Sequence, residues 1–147
     1  MKKLLSVIIS AVMALSLVAC QANEQPETDI GTQPDLWATA IYTEDAEEGT
    51  GGKTVAVIVT AGEKSVTVTL HTDRKNFGDA LRESSFVQGT DGEYGLYITH
   101  VNGIKAVYEE DNTYWAFLDG EGNYMNYGVD DTELTGNDTY CLIYTLA

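Results

Sequence analysis

The chain has 147 residues, with 23 acidic and eight basic side chains and a formal net charge of −15. Every acidic residue lies after position 19, whereas Lys2 and Lys3 lie before it, so the chain from Cys20 onward carries six basic side chains and a net charge of −17. A surface this acidic repels nucleic acid and anionic lipid head groups, which excludes both as partners, and the length corresponds to one folded domain.

The N-terminus has the pattern of an export signal. Lys2 and Lys3 precede an apolar run over residues 4–17, which is long enough for a signal peptide and too short for a membrane span. The run leads into residues 17–20, Leu-Val-Ala-Cys, which resemble the lipobox of bacterial lipoproteins. The resemblance implies a signal peptide over residues 1–19 and a lipid on Cys20, so we expect the protein to be anchored in the membrane on the extracytoplasmic face of a bacterial cell envelope.

The segment that follows the signal is polar. Residues 20–35 contain both prolines and show no periodicity, which predicts a lipidated cysteine and a disordered tether. The folded domain is therefore expected over residues 36–147. Within it Cys141 has no cysteine to pair with, and its place in an alternating run predicts a buried, unreactive thiol.

The first half of the domain is predicted to be mostly strand. Residues 37–43 indicate a first strand, and residues 44–52 an acidic, glycine-rich loop that cannot pack a core. Residues 54–60 are β-branched and apolar on both faces, which is typical of a central strand. After a turn, residues 65–71 alternate apolar and hydroxyl side chains, with His71 outward. The two strands therefore predict a hairpin.

One helix follows. Asn76 can cap its first turn, Asp79 can reach back as in a capping box, and Phe77, Ala80 and Leu81 share one face. The helix is expected to end near residues 84–85, before a turn at residues 89–92. Later segments predict three strands (94–101, 113–118 and 140–146) and turns at 102–103 and 119–120. The order predicts an α+β fold: a β-hairpin, one helix and then a strand meander, with the helix packed on a twisted, mainly antiparallel, β-grasp-like sheet.

Several motifs in this order resemble a known family. Residues 76–81, 95–103, 114–120 and 128–129 together are similar to the C-terminal β-domain of transcobalamin and intrinsic factor, and to the bacterial stand-alone domains of that type. The resemblance covers roughly residues 38–147. It implies a domain that meets a corrinoid, and it carries the ligand-facing segment over to Tyr114, Trp115, Phe117 and Leu118, with Gly128 and Val129 nearby.

The same residues have a plainer interpretation. Nine tyrosines and two tryptophans can build a flat aromatic platform for a ring ligand, a sugar or a protein, but alternating aromatic side chains are also typical of half-buried strands. For Trp115 and Phe117, which share a face, a core position is favoured. Tyr114, Tyr124 and Tyr127 are expected to show at least a hydroxyl to solvent, and Tyr127 therefore joins the candidate ligand residues.

Metal and catalytic sites have weak signals. Asp119, Glu121, Asn123 and Asp130 imitate the ligand spacing of a calcium loop, but the sixth position is Tyr124 where the sharp turn needs glycine. We therefore predict a β-turn with solvated acids and no metal site. No nucleophile motif accompanies the two histidines, and we expect a protein that is not an enzyme.

Two functions remain open from the sequence. The first is a lipid-anchored domain that captures a small ring-shaped ligand, guided by the family to a corrinoid, alongside transporter components. The alternative is a surface module that binds a partner protein or a wall polymer, with weak calcium binding as a variant of either. No cofactor is expected apart from a corrinoid held as the ligand.

Overall fold

The computed structural model describes residues 35–147. The predicted signal peptide, Cys20 and nearly all of the tether lie outside the described residues. The elements in chain order are a 3₁₀ turn (Leu36–Thr39), β1 (Ala46–Gly49), β2 (Lys53–Ala61), β3 (Lys64–Thr72), α1 (Phe77–Glu83), β4 (Val87–Gly92), β5 (Gly95–Val101), β6 (Ile104–Lys105), α2 (Tyr108–Asp111), β7 (Thr113–Asp119), a second 3₁₀ turn (Val129–Asp131) and β8 (Asn137–Leu146). Within this range no helix is long and apolar enough to cross a membrane.

The strands form two sheets. The larger has the order β1-β3-β2-β8-β7, and the smaller has the order β4-β5-β6. In the larger sheet β2 and β3 form the predicted antiparallel hairpin, and β8 lies parallel to β2 with β7 antiparallel beside it. In the β-grasp arrangement a hairpin is followed by a helix, and the last strand returns to lie parallel beside the first strand of the hairpin. Here β8 lies beside β2 in this way. The predicted α+β class is confirmed, and the added strand β1 makes a second parallel pair with β3.

The helix forms as its sequence predicts. The Asn76 side chain caps the helix by accepting a hydrogen bond from the backbone N–H of Asp79 at 2.7 Å, and its amide donates to the Asp79 carboxylate at 3.1 Å. Asp79 thus reaches back to the side chain of Asn76, whereas in a full capping box it would reach the Asn76 backbone N–H. Phe77, Ala80 and Leu81 are buried against the larger sheet, inside the core built from Val55, Val57 and Val59 of β2, Val66, Val68 and Leu70 of β3, and Leu142 of β8. α1 ends at Glu83, as expected.

The predicted strand over residues 37–43 is wrong. The Asp35 carboxylate accepts a hydrogen bond from the backbone N–H of Trp37, which starts the 3₁₀ turn in its place. The Trp37 side chain is buried, and its indole N–H donates to the carbonyl of Ala61 at 2.8 Å. The aromatic and aliphatic residues that suggested a strand therefore serve to dock the chain on the turn between β2 and β3.

Two predicted irregular segments are strands instead. β1 lies within the expected loop over residues 44–52, and it carries Glu48, whose carboxylate accepts hydrogen bonds from the hydroxyls of Tyr42 and Ser85. Burial raises the pKa of Glu48, but these hydrogen bonds outweigh burial and leave the pKa below its usual value. β4 covers the turn expected at residues 89–92 because main-chain pairing with β5 holds it, although most of its side chains are exposed.

The predicted turn at Asn102 and Gly103 is confirmed and has a larger role than a tight turn. Asn102 is completely buried with φ of 53°. Its side chain accepts a hydrogen bond from the Tyr42 N–H at 2.7 Å and donates one to the Tyr42 carbonyl at 2.8 Å. A β-carbon at Gly103 would lie 2.1 Å from the Thr39 carbonyl oxygen, so only glycine fits there. This pair fixes residues 39–42 against the smaller sheet.

Candidate functional site

Strand β7 carries four of the candidate ligand residues, and it buries most of them. Trp115 and Phe117 share the face that packs on α1, because Trp115 pairs with Tyr144 and Phe117 with Leu142 on β8. Trp115 is 7% exposed, and the Phe117 ring is half-buried with its centroid 5.6 Å from that of Phe77. The core position favoured for this pair is therefore what the structure shows. Leu118, on the opposite face, is also buried.

Trp115 has one unusual feature. Its indole N–H is buried and has no hydrogen-bond partner among the described residues, while the ring meets Tyr144 edge-on at 5.8 Å. A buried donor without a partner costs about 1–3 kcal/mol. The aromatic packing of Trp115 therefore contributes to the core in spite of its polar group.

Tyr114 lies on the outward face of β7 and is half-buried. Burial raises the pKa of its hydroxyl, and the neighbouring Tyr124 hydroxyl raises it further. Tyr124 itself is well exposed, since residues 119–124 form a turn that folds back to bridge Leu118. Both tyrosines therefore show part of their side chains to solvent, as expected.

The remaining candidate residues lie in the segment that enters the second 3₁₀ turn. Tyr127 is 52% exposed, Gly128 is exposed, and Val129 is buried in the core. Of the seven candidate ligand residues, the structure thus brings Tyr127 and Gly128 fully to the surface and Tyr114 partly. Val129, like Trp115 and Leu118, is a packing residue that a bound ligand would not reach.

A further exposed tyrosine joins this segment. Tyr94 is 89% exposed, and a β-carbon at Gly128 would lie 3.6 Å from its carbonyl oxygen. Tyr140 lies beneath, half-buried, and its pKa is raised by burial, then by the Asp138 carboxylate and by Tyr127. We call Tyr94, Tyr127, Gly128 and Tyr140 the tyrosine surface. Tyr94 was missed as a site residue, and its place in the turn Gly92-Glu93-Tyr94-Gly95 was the available sign that its ring faces solvent.

Asp130 holds the tyrosine surface in place. Its carboxylate accepts hydrogen bonds from Arg82 of α1 at 2.6 and 2.8 Å and from the backbone N–H of Leu96 on β5 at 2.9 Å. A β-carbon at Gly78 would lie 1.8 Å, and one at Gly95 2.4 Å, from an Asp130 oxygen, so both glycines make room for this carboxylate. Asp130 thereby joins the 3₁₀ turn to the helix and to the start of β5.

We expect Asp130→Asn to lower the free energy of unfolding by about 1–3 kcal/mol at pH 7, the usual range for hydrogen bonds to charged groups. The hydrogen bonds from Arg82 lower the pKa of Asp130 in the folded state. This contribution is therefore complete above the unfolded pKa of about 3.9 and is lost as the pH falls through the folded pKa. Urea unfolding at pH 7 and at pH 3 measures the difference between wild type and variant, which should shrink at pH 3.

The exposed neighbour Asp131 provides the matched control. Asp131→Asn should change the free energy of unfolding by less than about 0.5 kcal/mol at either pH. An Asp130→Asn difference that stays constant between pH 7 and pH 3 would show that the charge of Asp130 is not what joins these elements.

The calcium-like spacing does not assemble a cluster. One Asp119 carboxylate oxygen accepts hydrogen bonds from the backbone N–H groups of Glu121 and Asn123, each at 2.9 Å. The Asn123 hydrogen bonds, backbone first, lower the pKa of Asp119, whereas Asp130 is engaged by Arg82. Across residues 35–147 there is no group of three or more His, Cys, Asp or Glu side chains that could hold a metal ion.

A cleft of about 500 Å³ lies away from all of these candidates. It is between β1 and the end of α1, and its lining includes Glu48, Leu70, Arg74 and Glu83. Glu83 forms an ion pair with Arg74, and Glu48 is bound by Tyr42 and Ser85. Because these charged groups already satisfy one another, the tyrosine surface is the stronger candidate site.

Comparison with known proteins gives a likeness of fold. No family model matches the chain, and no curated protein matches it. A crystal structure of a protein from Ruminococcus gnavus ATCC 29149, provisionally designated metal-binding, is similar with a TM-score of 0.59 and 29% identity, over 65% of this chain and 98% of that chain. Haptocorrin in complex with Cbi matches with a TM-score of 0.49 and 15% identity, over 67% of this chain and 27% of haptocorrin. A likeness as remote as the second says nothing about a ligand. The chain thus shares its fold with the Ruminococcus gnavus protein, which the match covers almost entirely.

Proposed function

We propose that the domain is a binding module that captures a flat, ring-shaped small molecule on the tyrosine surface. The observation that carries the proposal is that two widely separated tyrosines, Tyr94 and Tyr127, are brought to one place with 89% and 52% of their surface exposed. Large exposed aromatic rings offer apolar contact area with little conformational entropy to lose. The two segments meet at Gly128, next to Tyr127, where a β-carbon would lie 3.6 Å from the Tyr94 carbonyl oxygen.

The class of ligand follows from the chemistry of this surface. Tyrosine rings stack on flat apolar rings, and their hydroxyls can hydrogen-bond to polar substituents at the ring edge. The surrounding acidic domain favours a neutral or cationic molecule over an anion. A corrinoid meets this description and is the first candidate by the family resemblance. Since the surface covers only one side of a ring, we expect weak binding, with Kd on the order of micromolar to millimolar.

The test uses residues 34–147 as a soluble protein, titrated with cobinamide, cobalamin and haem while tryptophan fluorescence is recorded. Tyr127→Ala and Tyr94→Ala should each weaken binding at least several-fold. Neither should lower Tm appreciably, because the rings contribute little to the core.

Tyr108→Ala is the matched control. Tyr108 is also 52% exposed but lies on α2, away from the tyrosine surface. Its substitution should leave binding unchanged. Equal weakening by Tyr108→Ala, or no binding of any ring compound at millimolar concentration, would reject the proposal.

The proposed location is the extracytoplasmic face of a cell envelope, with the domain tethered by a lipid on Cys20. Its support is the lipobox-like sequence at residues 17–20, directly after the apolar run. A tethered capture domain would pass its ligand to a transporter or hold it at the surface. Labelling cells with a fatty acid analogue, in the wild type and in Cys20→Ser, tests the anchor: only the wild type should carry the label.

A further inference from the structure

The larger sheet has one face packed on the core, and its other face is open over β3, β2 and β8, whereas the outward Ala116 and Leu118 of β7 are buried. Alternate side chains of β2, β3 and β8 point inward to α1, and the others point outward, where positions such as Ile58, Thr67 and Cys141 are half-exposed. The buried hydrophobic residues of the other elements join the inner face. We call the outward side of β3, β2 and β8 the open face.

The composition of the open face is unlike that of the rest of the domain. Residues 35–147 carry 20 acidic and six basic side chains, yet the outward positions of these three strands hold only threonine, serine, asparagine, alanine, isoleucine, cysteine and one histidine. The histidine, His71, lies at the end near β1, beside Glu47 at 3.1 Å. Because this patch is uncharged, a partner bound there meets less electrostatic repulsion than it would on the acidic surface of the rest of the domain.

Hydroxyl groups dominate this patch, and they indicate the kind of partner. Each threonine or serine offers one donor and two acceptor positions, so a surface of hydroxyls matches a ligand with the same mixed character. Protein hot spots use tryptophan, tyrosine and arginine, and serine and threonine are under-represented there. Membrane-binding surfaces need large apolar or basic side chains. A neutral glycan needs neither the aromatic and arginine side chains of a protein interface nor the large apolar or basic side chains of a membrane-binding surface.

The β1 side of the open face adds a shallow cleft and carboxylates that can accept hydrogen bonds. A shallow cleft of about 220 Å³ lies at its β1 side, lined by Asp45, Ala46, Glu47, Thr67 and Thr69. Asp45 is fixed there by a hydrogen bond from the backbone N–H of Thr67 at 2.8 Å. In the register of the sheet Thr67 lies in one row with Ile58 and Cys141, whereas Tyr114 pairs with Thr145, four residues further along β8. From β1 across β3 and β2 to Cys141 on β8 is three strand spacings, about 14 Å, which suits more than one linked sugar.

We propose that the open face binds a neutral glycan chain, laid across the strands from the β1 cleft to Cys141. The glycan hydroxyls exchange hydrogen bonds with the threonine side chains, and the carboxylates of the β1 cleft accept from the hydroxyls at one end. This site is on the other side of the sheet from the tyrosine surface, since Tyr140 of β8 points to the core face and Cys141 to the open face. The two sites therefore work independently.

The sole cysteine of residues 35–147, Cys141, lies on β8 in the same row as Thr67 and Ile58, and it reports occupancy of the open face. Burial and the Asp119 carboxylate raise the pKa of this thiol, so it reacts slowly but measurably at a fixed alkaline pH. Cys141 is half-buried in the structure, whereas the sequence predicted a buried, unreactive thiol. N-ethylmaleimide modification is followed by mass spectrometry with and without neutral hexasaccharides of glucose, mannose, N-acetylglucosamine and xylose. At least one should slow modification ten-fold or more.

Variants then locate the bound chain. Thr67→Ala combined with Thr69→Ala should abolish most of the protection, whereas Thr90→Ala, an exposed threonine on β4, should not change it. Tyr127→Ala should leave protection intact, which separates this result from the fate of the proposed ring ligand. Anionic oligogalacturonate should give no protection.

Three outcomes would overturn the proposal. The first is no protection by any neutral oligosaccharide at 10 mM or more. The second is slower modification as the protein concentration rises without glycan, accompanied by a dimer in sedimentation, because a second copy would then cover the face. The third is protection that survives the double threonine substitution.

Discussion

Asn102→Ala should lower the free energy of unfolding by about 3–5 kcal/mol, among the largest effects of any single substitution in the domain. The change removes both side-chain hydrogen bonds to Tyr42 and leaves its backbone N–H and carbonyl without partners, at about 1–1.5 kcal/mol for each group because Tyr42 is only half-buried. Alanine also adopts the left-handed conformation at a cost of about 1–2 kcal/mol. Urea unfolding followed by circular dichroism measures the loss.

Asn112 separates these two contributions. It has nearly the same backbone conformation, with φ of 57°, but it is exposed at the end of α2. Asn112→Ala should therefore cost only the backbone contribution, about 1–2 kcal/mol. If Asn102→Ala costs no more than Asn112→Ala, the Tyr42 hydrogen bonds do not stabilise the fold.

Leu81→Ala should cost about 2–5 kcal/mol, as truncations of fully buried leucines do. Leu81 is inaccessible to solvent and lies on the α1 face that packs on the larger sheet, so its removal leaves a cavity between helix and sheet. Chemical unfolding of the variant gives the free energy directly. The exposed Leu146 offers the same substitution without a cavity, and Leu146→Ala should cost under about 0.5 kcal/mol. Equal losses at the two positions would mean that α1 does not pack as described.

The elements that the sequence predicts well are those whose signals are local. The hairpin of β2 and β3 follows from alternation and a turn at Gly62, whose φ is 62°. The helix follows from the N-cap Asn76 with Asp79 three residues on, and from apolar spacing. Each of these features is decided by residues within a few positions of one another, so no knowledge of the rest of the fold is needed.

The elements that the sequence misses depend on distant partners. β1 is held by parallel pairing with β3, and Glu48 is accommodated there by Tyr42 and Ser85. Trp37 does not join a strand, and its indole N–H donates a hydrogen bond to the carbonyl of the distant Ala61. β4 has little hydrophobic pattern because its backbone, and not its side chains, attaches it to β5. Such contacts leave no periodic signal in the sequence.

For the candidate site, too, local patterns were predictable from the sequence and contacts between distant segments were not. Alternation on β7 correctly indicated that Trp115 and Phe117 share a face, but alternation cannot say whether a shared aromatic face meets a ligand or a helix. Phe77 decides that question, and its contact with Phe117 is formed between distant segments. The approach of the Tyr94 backbone to Gly128 depends on Asp130 and on two glycines, which the sequence shows as motif residues without showing what they contact.

The place of β8 in the larger sheet has a consequence for when the domain can fold. The last strand of the domain lies between β2 and β7, so the two parts of the sheet have no hydrogen-bonded connection until β8 is inserted. A ribosome must release nearly the whole domain before this insertion, and pairings between distant segments form slowly. The larger sheet therefore cannot be completed while the domain is still being synthesised.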